Sequence, residues 1–127
     1  MLGLMKSYSI ILAEDDEAIR DIMTEILSHE GFEVYGVADG QEAIEILQER
    51  SFDLLITDYR MPRINGTQLL NWCRENNLDL PSILITANSD LLPINDAAIK
   101  AIGAKLFQKP VNIESLITTI NEIRTPH

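Results

Sequence analysis

The stretch FDLLITDYRMPRING, Phe52 to Gly66, decides the fold. Its first six residues, with the apolar run Leu54 to Ile56, predict a short strand covered on both faces. The run ends on Asp58 and breaks into a Met61-Pro62 turn closed by Gly66. A carboxylate at the edge of a core costs desolvation free energy unless something compensates it. Asp58 is therefore either a cap for the next helix or a group with chemistry to do.

The segments on either side repeat the same alternation. YSIILA (Tyr8–Ala13), FEVYGV (Phe32–Val37), PSILIT (Pro81–Thr86) and KLFQ (Lys105–Gln108) read as further strands. Between them the period lengthens. Ala18, Ile19, Ile22, Met23, Ile26 and Leu27 fall on one helical face, and Gly31 stands where a helix commonly ends. Asp39 and Glu42 have capping-box spacing for a helix carrying Ala43, Ile44 and Leu47. A third helix is expected from about Thr67 to Glu75, and a fourth over Asn95 to Ile102, where Pro93 can begin but not occupy the interior. Asn112 is the expected cap of a fifth, lined by Ile113, Leu116, Ile117, Ile120 and Ile123. Five strands alternating with five helices predict an α/β fold. The strands form a doubly wound parallel sheet with helices on both faces.

The 127 residues suit one domain with a real core and leave little room for another. Apolar residues make up 46% and charged residues 24%, values of an ordinary globular chain. The apolar runs are too short to span a bilayer, and Lys6 follows the opening MLGLM instead of preceding it, the wrong order for a secretory signal. One cysteine, Cys73, cannot form an internal disulfide. The expectation is a cytoplasmic protein without membrane insertion. Residues 1–58 hold 14 acids against 3 bases, whereas residues 59–127 hold 6 against 7. The first half repels nucleic acid, so no nucleic-acid partner is expected. Most of these acids, such as Glu42, Glu45 and Glu49, read as a solvated face. The exception is AEDDEA, where four acids follow an apolar strand.

In an open α/β sheet, ligands bind outside the carboxyl ends of the strands, where strand order reverses. After the first strand come Glu14, Asp15 and Asp16; after the third, Asp58; after the fourth, Thr86; after the fifth, Lys109. With the common order 2-1-3-4-5, Glu14, Asp15 and Asp58 converge. Clustered carboxylates repel unless protonated or bridged by a cation, and an oxygen-lined site with few protein ligands suits Mg²⁺. A hydroxyl on Thr86 and an ammonium on Lys109 add groups that bind phosphoryl oxygens. Together they predict a phosphoryl-transfer site with Asp58 as nucleophile. Singly, each residue has a plainer reading: Asp58 or Asp16 as a cap, Thr86 bonded to backbone, Lys109 solvated.

ILAEDDEAIR, LLITDYRMPRING, PSILITA and FQKP, in that order, resemble the motifs of bacterial two-component response-regulator receiver domains of the single-domain type. The resemblance implies a flavodoxin-like fold, with residues 1–7 as an N-terminal extension, 8–124 as the receiver domain and 125–127 as a tail. It implies Asp58 as phosphoacceptor, Thr86 and Lys109 as phosphate contacts, and Mg²⁺ held by Glu14, Asp15, Asp58 and the Arg60 backbone carbonyl. Counting back from Ile19-Arg20 makes Asp16 the extra acid. The implied partners are a histidine kinase or histidine phosphotransfer protein and a downstream protein, and a phosphorylation-dependent homodimer is allowed. The expected role is a switched signalling domain, not a turnover enzyme.

Two features depart from the pattern. The segment between Thr86 and Gly103 is about two residues longer than the usual pattern, with Pro93 inside it, and that from Gly103 to Lys109 about one residue shorter. Leu106 thus stands where the family commonly has a Tyr or Phe that reorients on phosphorylation, and Phe107 follows it. Three other functions fit less well. An aspartate-nucleophile hydrolase of the haloacid dehalogenase type needs Asp-x-Asp, and Arg60 stands at the second position. A flavin mononucleotide carrier needs a phosphate loop where this chain has EDDEA. An unphosphorylated interaction module has no need of the complete acid, Thr and Lys set.

Overall fold

A strand that is apolar along its whole length must be covered on both faces. The computed structural model, which describes residues 7–87 and 103–125, meets this condition with three strands buried at every position. These are β1 (Ser9–Ala13), β3 (Leu54–Asp58) and β4 (Ser82–Thr86). They form the centre of a parallel sheet in the order β2-β1-β3-β4-β5, with β2 (Glu33–Val37) and β5 (Ala104–Gln108) at its edges. Ile11 lies opposite Tyr35 on one side and Leu55 on the other, and Asp58 lies opposite Ile85. The edge strands are the exposed ones, presenting Glu33 and Tyr35 on β2 and Lys105 and Leu106 on β5.

The described helices are α1 (Glu17–His29), α2 (Gly40–Glu49), α3 (Gly66–Glu75) and α4 (Ile113–Arg124). Each begins on a short polar side chain that accepts the backbone N–H three residues on, namely Asp16, Asp39, Asn65 and Asn112. The reciprocal capping box lies on α3, where the Asn65 side chain accepts from Gln68 N and Gln68 Oε1 accepts from Asn65 N at 2.9 Å. The helix expected over Asn95–Ile102 lies outside the described residues, as do residues 1–6 and 126–127.

The sheet divides two cores. On one face α2 and α3 bury Ala43, Leu47, Leu69, Leu70 and Cys73 against Ile11, Leu55 and Leu84. Burial pushes the Cys73 thiol up to about 11, which keeps it protonated. On the other face α1 and α4 bury Met23, Leu27, Leu116 and Ile120 against Ile10, Leu12, Ile56, Ile83 and Ile85. At the amino ends of the strands, guanidinium groups stack on aromatic rings. Arg50 lies 5.2 Å from the Tyr35 ring centre and 4.9 Å from that of Phe52, and Arg124 lies 5.5 Å from both Tyr8 and Phe32.

The structure corrects one expectation about packing. The apolar stripe of α1 is wider than the face it buries: Met23 and Leu27 are covered, whereas Ile19 is 38% and Ile22 57% exposed. At about 100° per residue the six expected positions span roughly half the helix, and Ala18 and Ile22 turn away from the sheet. Phe107 shares the α1–α4 core as the alternation along β5 requires, but an edge strand leaves it only half-buried. Leu55→Ala should therefore cost about 2–5 kcal/mol, and Phe107→Ala less than the ~3–5 kcal/mol of a fully enclosed ring. Paired thermal melts should rank Leu55→Ala as the more damaging substitution.

Candidate functional site

β1 and β3 are neighbours, and each delivers a carboxylate at its carboxyl end. Asp58 closes β3 and is 5% exposed; Glu14 follows β1 and is 3% exposed. Together with the exposed Asp15 they bring one oxygen each within 4.8 Å of one another. Asp16 does not join them. It caps α1, its Oδ1 accepting from Ile19 N at 3.1 Å, while its own N–H donates to Glu14 Oε2 at 3.1 Å.

Lys109 enters from β5. Its backbone N–H donates to Thr86 O at 2.7 Å, continuing the ladder past the strand end. Its Nζ lies 3.1 Å from each Asp58 carboxylate oxygen and 3.9 Å from Glu14 Oε1. The Lys109–Pro110 peptide bond is cis. Thr86 is fully buried, and its hydroxyl has no hydrogen-bond partner among the described residues. Such an orphan costs about 1–3 kcal/mol and calls for an explanation. The plainer expectation, a hydroxyl bonded to nearby backbone, is not what this threonine does. Arg60 lines the same cleft of about 320 Å³ as Asp15, Asp58 and Lys109.

The glycine that closes the opening stretch has a steric cause. Gly66 N donates to Tyr59 O at 2.8 Å, and a Cβ on residue 66 would lie 2.5 Å from Asp58 O and 2.7 Å from Leu84 Cδ1. Only glycine lets α3 start this close to the backbone of Asp58. Beyond Asp58 the loop carries Arg63 at φ 68°, a left-handed conformation rare for a side chain of this size. Arg63 Nη2 pairs with Asp39 Oδ2 at 2.6 Å and so ties this loop to the cap of α2. The sequence shows no signal for that pair, whose members are 24 residues apart.

The electrostatics follow from burial. Burial pushes the Glu14 carboxyl up to about 7, and the charge of Asp58 adds to the rise, against the Asp16 N–H and Lys109, which oppose it. Burial alone would lower Lys109, but the hydrogen bond to Asp58 and the charges of Asp58, Glu14 and Asp15 outweigh it and raise its pKa. The cluster fits a hard divalent cation: three carboxylates converge, one of them too destabilised to ionise freely without a counter-charge.

The family described as "Response regulator receiver domain" matches residues 10–121, and the chain belongs to it. The response regulator receiver protein CpdR of Brucella abortus is 35% identical over 116 residues, which cover 90% of this chain and 94% of that protein. The uncharacterized transcriptional regulatory protein YrkP of Bacillus subtilis is 34% identical over 87% of this chain, but over only 46% of its own length. The chain spans about half the length of several such relatives. Among solved structures, the chemotaxis response regulator CheY4 of Vibrio cholerae superposes with a TM-score of 0.82 at 27% identity, covering 93% of this chain and 99% of that one. The receiver domain of Francisella response regulator 1452 shares the fold, with a TM-score of 0.83 at 24% identity over 92% of this chain and 96% of that one. The protein is thus a response-regulator receiver domain of the two-component class. No helix among the described residues is long and apolar enough to cross a membrane.

The raised Glu14 pKa has a consequence for stability. Because its folded value of about 7 exceeds the ordinary 4.5, the carboxyl favours the folded state most at low pH. That contribution is lost as pH rises through 7. Metal-free protein should lose roughly 1–3 kcal/mol between about pH 5 and pH 8. Lys109, shifted upward, keeps its contribution throughout this range. Denaturant melts across the range should show the decline, and Glu14→Gln should flatten it.

Proposed function

We propose that this domain accepts a phosphoryl group on Asp58 and signals through the phosphorylated form. The observation that carries the proposal is Lys109 Nζ at 3.1 Å from both Asp58 oxygens, beside two further carboxylates and an unpartnered Thr86 hydroxyl. Residues 8–124 form the working unit. A histidine kinase or histidine phosphotransfer protein presents a phosphohistidine at the cleft. An Asp58 oxygen attacks phosphorus as the P–N bond breaks, and the imidazole nitrogen departs with the bonding pair. The product is an aspartyl phosphate.

The charge on Asp58 then passes to the phosphoryl oxygens. Lys109, already oriented by the carboxylate, transfers its contact to them. Thr86 donates its free hydroxyl to another of these oxygens, which explains why a buried donor has been left without a partner. Glu14, Asp15, Asp58 and the Arg60 backbone carbonyl would hold Mg²⁺, which when bound neutralises phosphoryl charge as a Lewis acid. The chain itself is switched and does not turn over a substrate. Beside the cleft, an apolar groove of about 500 Å³ between Ile19 and Met23 of α1 and Val111–Ile113 shares Glu14 and Lys109 with it. This continuity makes it the seat for the phosphodonor protein.

Acetyl phosphate with Mg²⁺ should add one phosphoryl group, seen by intact mass, and Asp58→Asn should abolish the addition while circular dichroism stays native. Modification mapped to Asp15 or Asp16 in the unaltered protein would sink the assignment.

Output is proposed to run through Leu106. It is 39% exposed and points to the face opposite Phe107 and Lys109, so it is available to a protein partner, a second copy of this chain included. Leu106→Ala should phosphorylate at the normal rate yet weaken phosphorylation-dependent association. Light scattering before and after acetyl phosphate, with pull-down of the downstream partner, reads this out.

A further inference from the structure

We infer that Arg20 is a positioning residue for the acidic turn: it pins the Glu14 peptide so that the Glu14 and Asp15 carboxylates face one cation. The inference rests on the cation-binding reading above.

The turn from β1 into α1 is held at three points. Glu14 N donates to Val37 O at 3.0 Å, Asp16 N donates to Glu14 Oε2 at 3.1 Å, and Arg20 Nη1 donates to Glu14 O at 2.7 Å. The first two fix one end of Glu14 and its side chain. Among the described residues only the third restrains the carbonyl, and with it the peptide plane leading into Asp15. Arg20 is well placed for this task. Its backbone N–H donates to Asp16 O at 2.9 Å, so the residue is anchored in the first turn of α1 while its head reaches back. The side chain is 18% exposed, and its second terminal nitrogen is 4.0 Å from the exposed Glu17.

A second observation, on a different element, points the same way. Gly36 lies in the edge strand β2, where a glycine weakens pairing and packs nothing. A Cβ on residue 36 would stand 3.2 Å from both Cγ and Cδ of Arg20. The glycine leaves room for the arginine stem to cross the strand on its way to the Glu14 carbonyl.

The sign of the effect separates positioning from plain electrostatics. A guanidinium beside an acid cluster repels a divalent cation, so if charge were its whole contribution, removing it would tighten Mg²⁺ binding. A positioning role gives the opposite result. Without the pin, the mutually repelling carboxylates separate, and cation binding must then restore their order. Outer-shell partners of metal ligands commonly contribute 10- to 100-fold in affinity.

The test is calorimetric titration of the purified domain with MgCl₂, together with the Mg²⁺ dependence of phosphorylation by acetyl phosphate. Arg20→Gln should weaken Mg²⁺ binding about 10-fold and raise the Mg²⁺ needed for half-maximal phosphorylation in parallel, with added Mg²⁺ restoring the rate. Arg20→Lys, which keeps a donor and the charge, should recover part of the loss. Gly36→Val leaves Arg20 in place but crowds its stem, and should reproduce the Arg20→Gln phenotype from a distant strand. Melts of the metal-free variants identify any that fail to fold, in which case the remaining variant decides. Unchanged or tighter Mg²⁺ binding in a folded Arg20→Gln or Gly36→Val would overturn the positioning role alone. No Mg²⁺ binding by the unaltered domain would overturn the cation reading beneath it.

Discussion

Two buried carboxylates facing one ammonium is the arrangement on which this molecule turns. Asp58 and Glu14 are at the ends of neighbouring strands, almost without solvent, and neither could remain charged there alone. The ammonium that answers them comes from the far edge of the sheet. Asp58 lies opposite Ile85, Ile85 opposite Phe107, and Lys109 follows two residues later on the same face as Phe107. A slip of one residue in β5 would turn Lys109 to the other face and leave the carboxylates uncompensated. Register, usually argued from hydrophobic burial, is here also enforced by charge.

The two ends of the sheet use cations differently. At the carboxyl end Lys109 meets carboxylates in a cleft. At the amino end Arg50 and Arg124 lie over aromatic pairs, one group packed near β2 and β3 and the other near β1 and the end of α4. Arginine suits the second task because its planar, weakly hydrated head stacks on rings. Lysine suits the first because a compact charge can move between oxygens without breaking a fixed fork of bonds. The carboxyl end thus carries a compact point charge and the amino end stacked planar ones.

Much of the site is written locally in the chain. Polar residues that end apolar runs, Glu14, Asp58, Thr86 and Lys109, are conspicuous once the runs are read as parallel strands, because such strands end on one edge. The cap function of Asp16 follows from helix geometry in the same way. What the chain does not disclose is how much cover each element receives. A helical period identifies the stripe on α1 but not that Ile19 borders a groove and Ile22 faces solvent, since stripe width and neighbour width are independent. Phe107 reads as apolar and inward, yet its half-burial depends on β5 being an edge. Gly66 is legible as a turn residue, whereas its contact with the Asp58 carbonyl depends on how α3 docks. The Arg63 bridge to Asp39 joins separate loops and has no local signature.

That bridge makes the surroundings of the site responsive to the ionic medium. Arg63 is largely open to solvent, and with it the loop after Asp58 is fastened to α2 by a contact that dissolved ions can screen. The Lys109–Asp58 pair, whose carboxylate is nearly buried, is screened less. Added salt therefore weakens one shoulder of the cleft more than its centre. Arg63 itself holds a backbone angle that glycine would take without strain, so a weakened bridge leaves that strain with less to offset it.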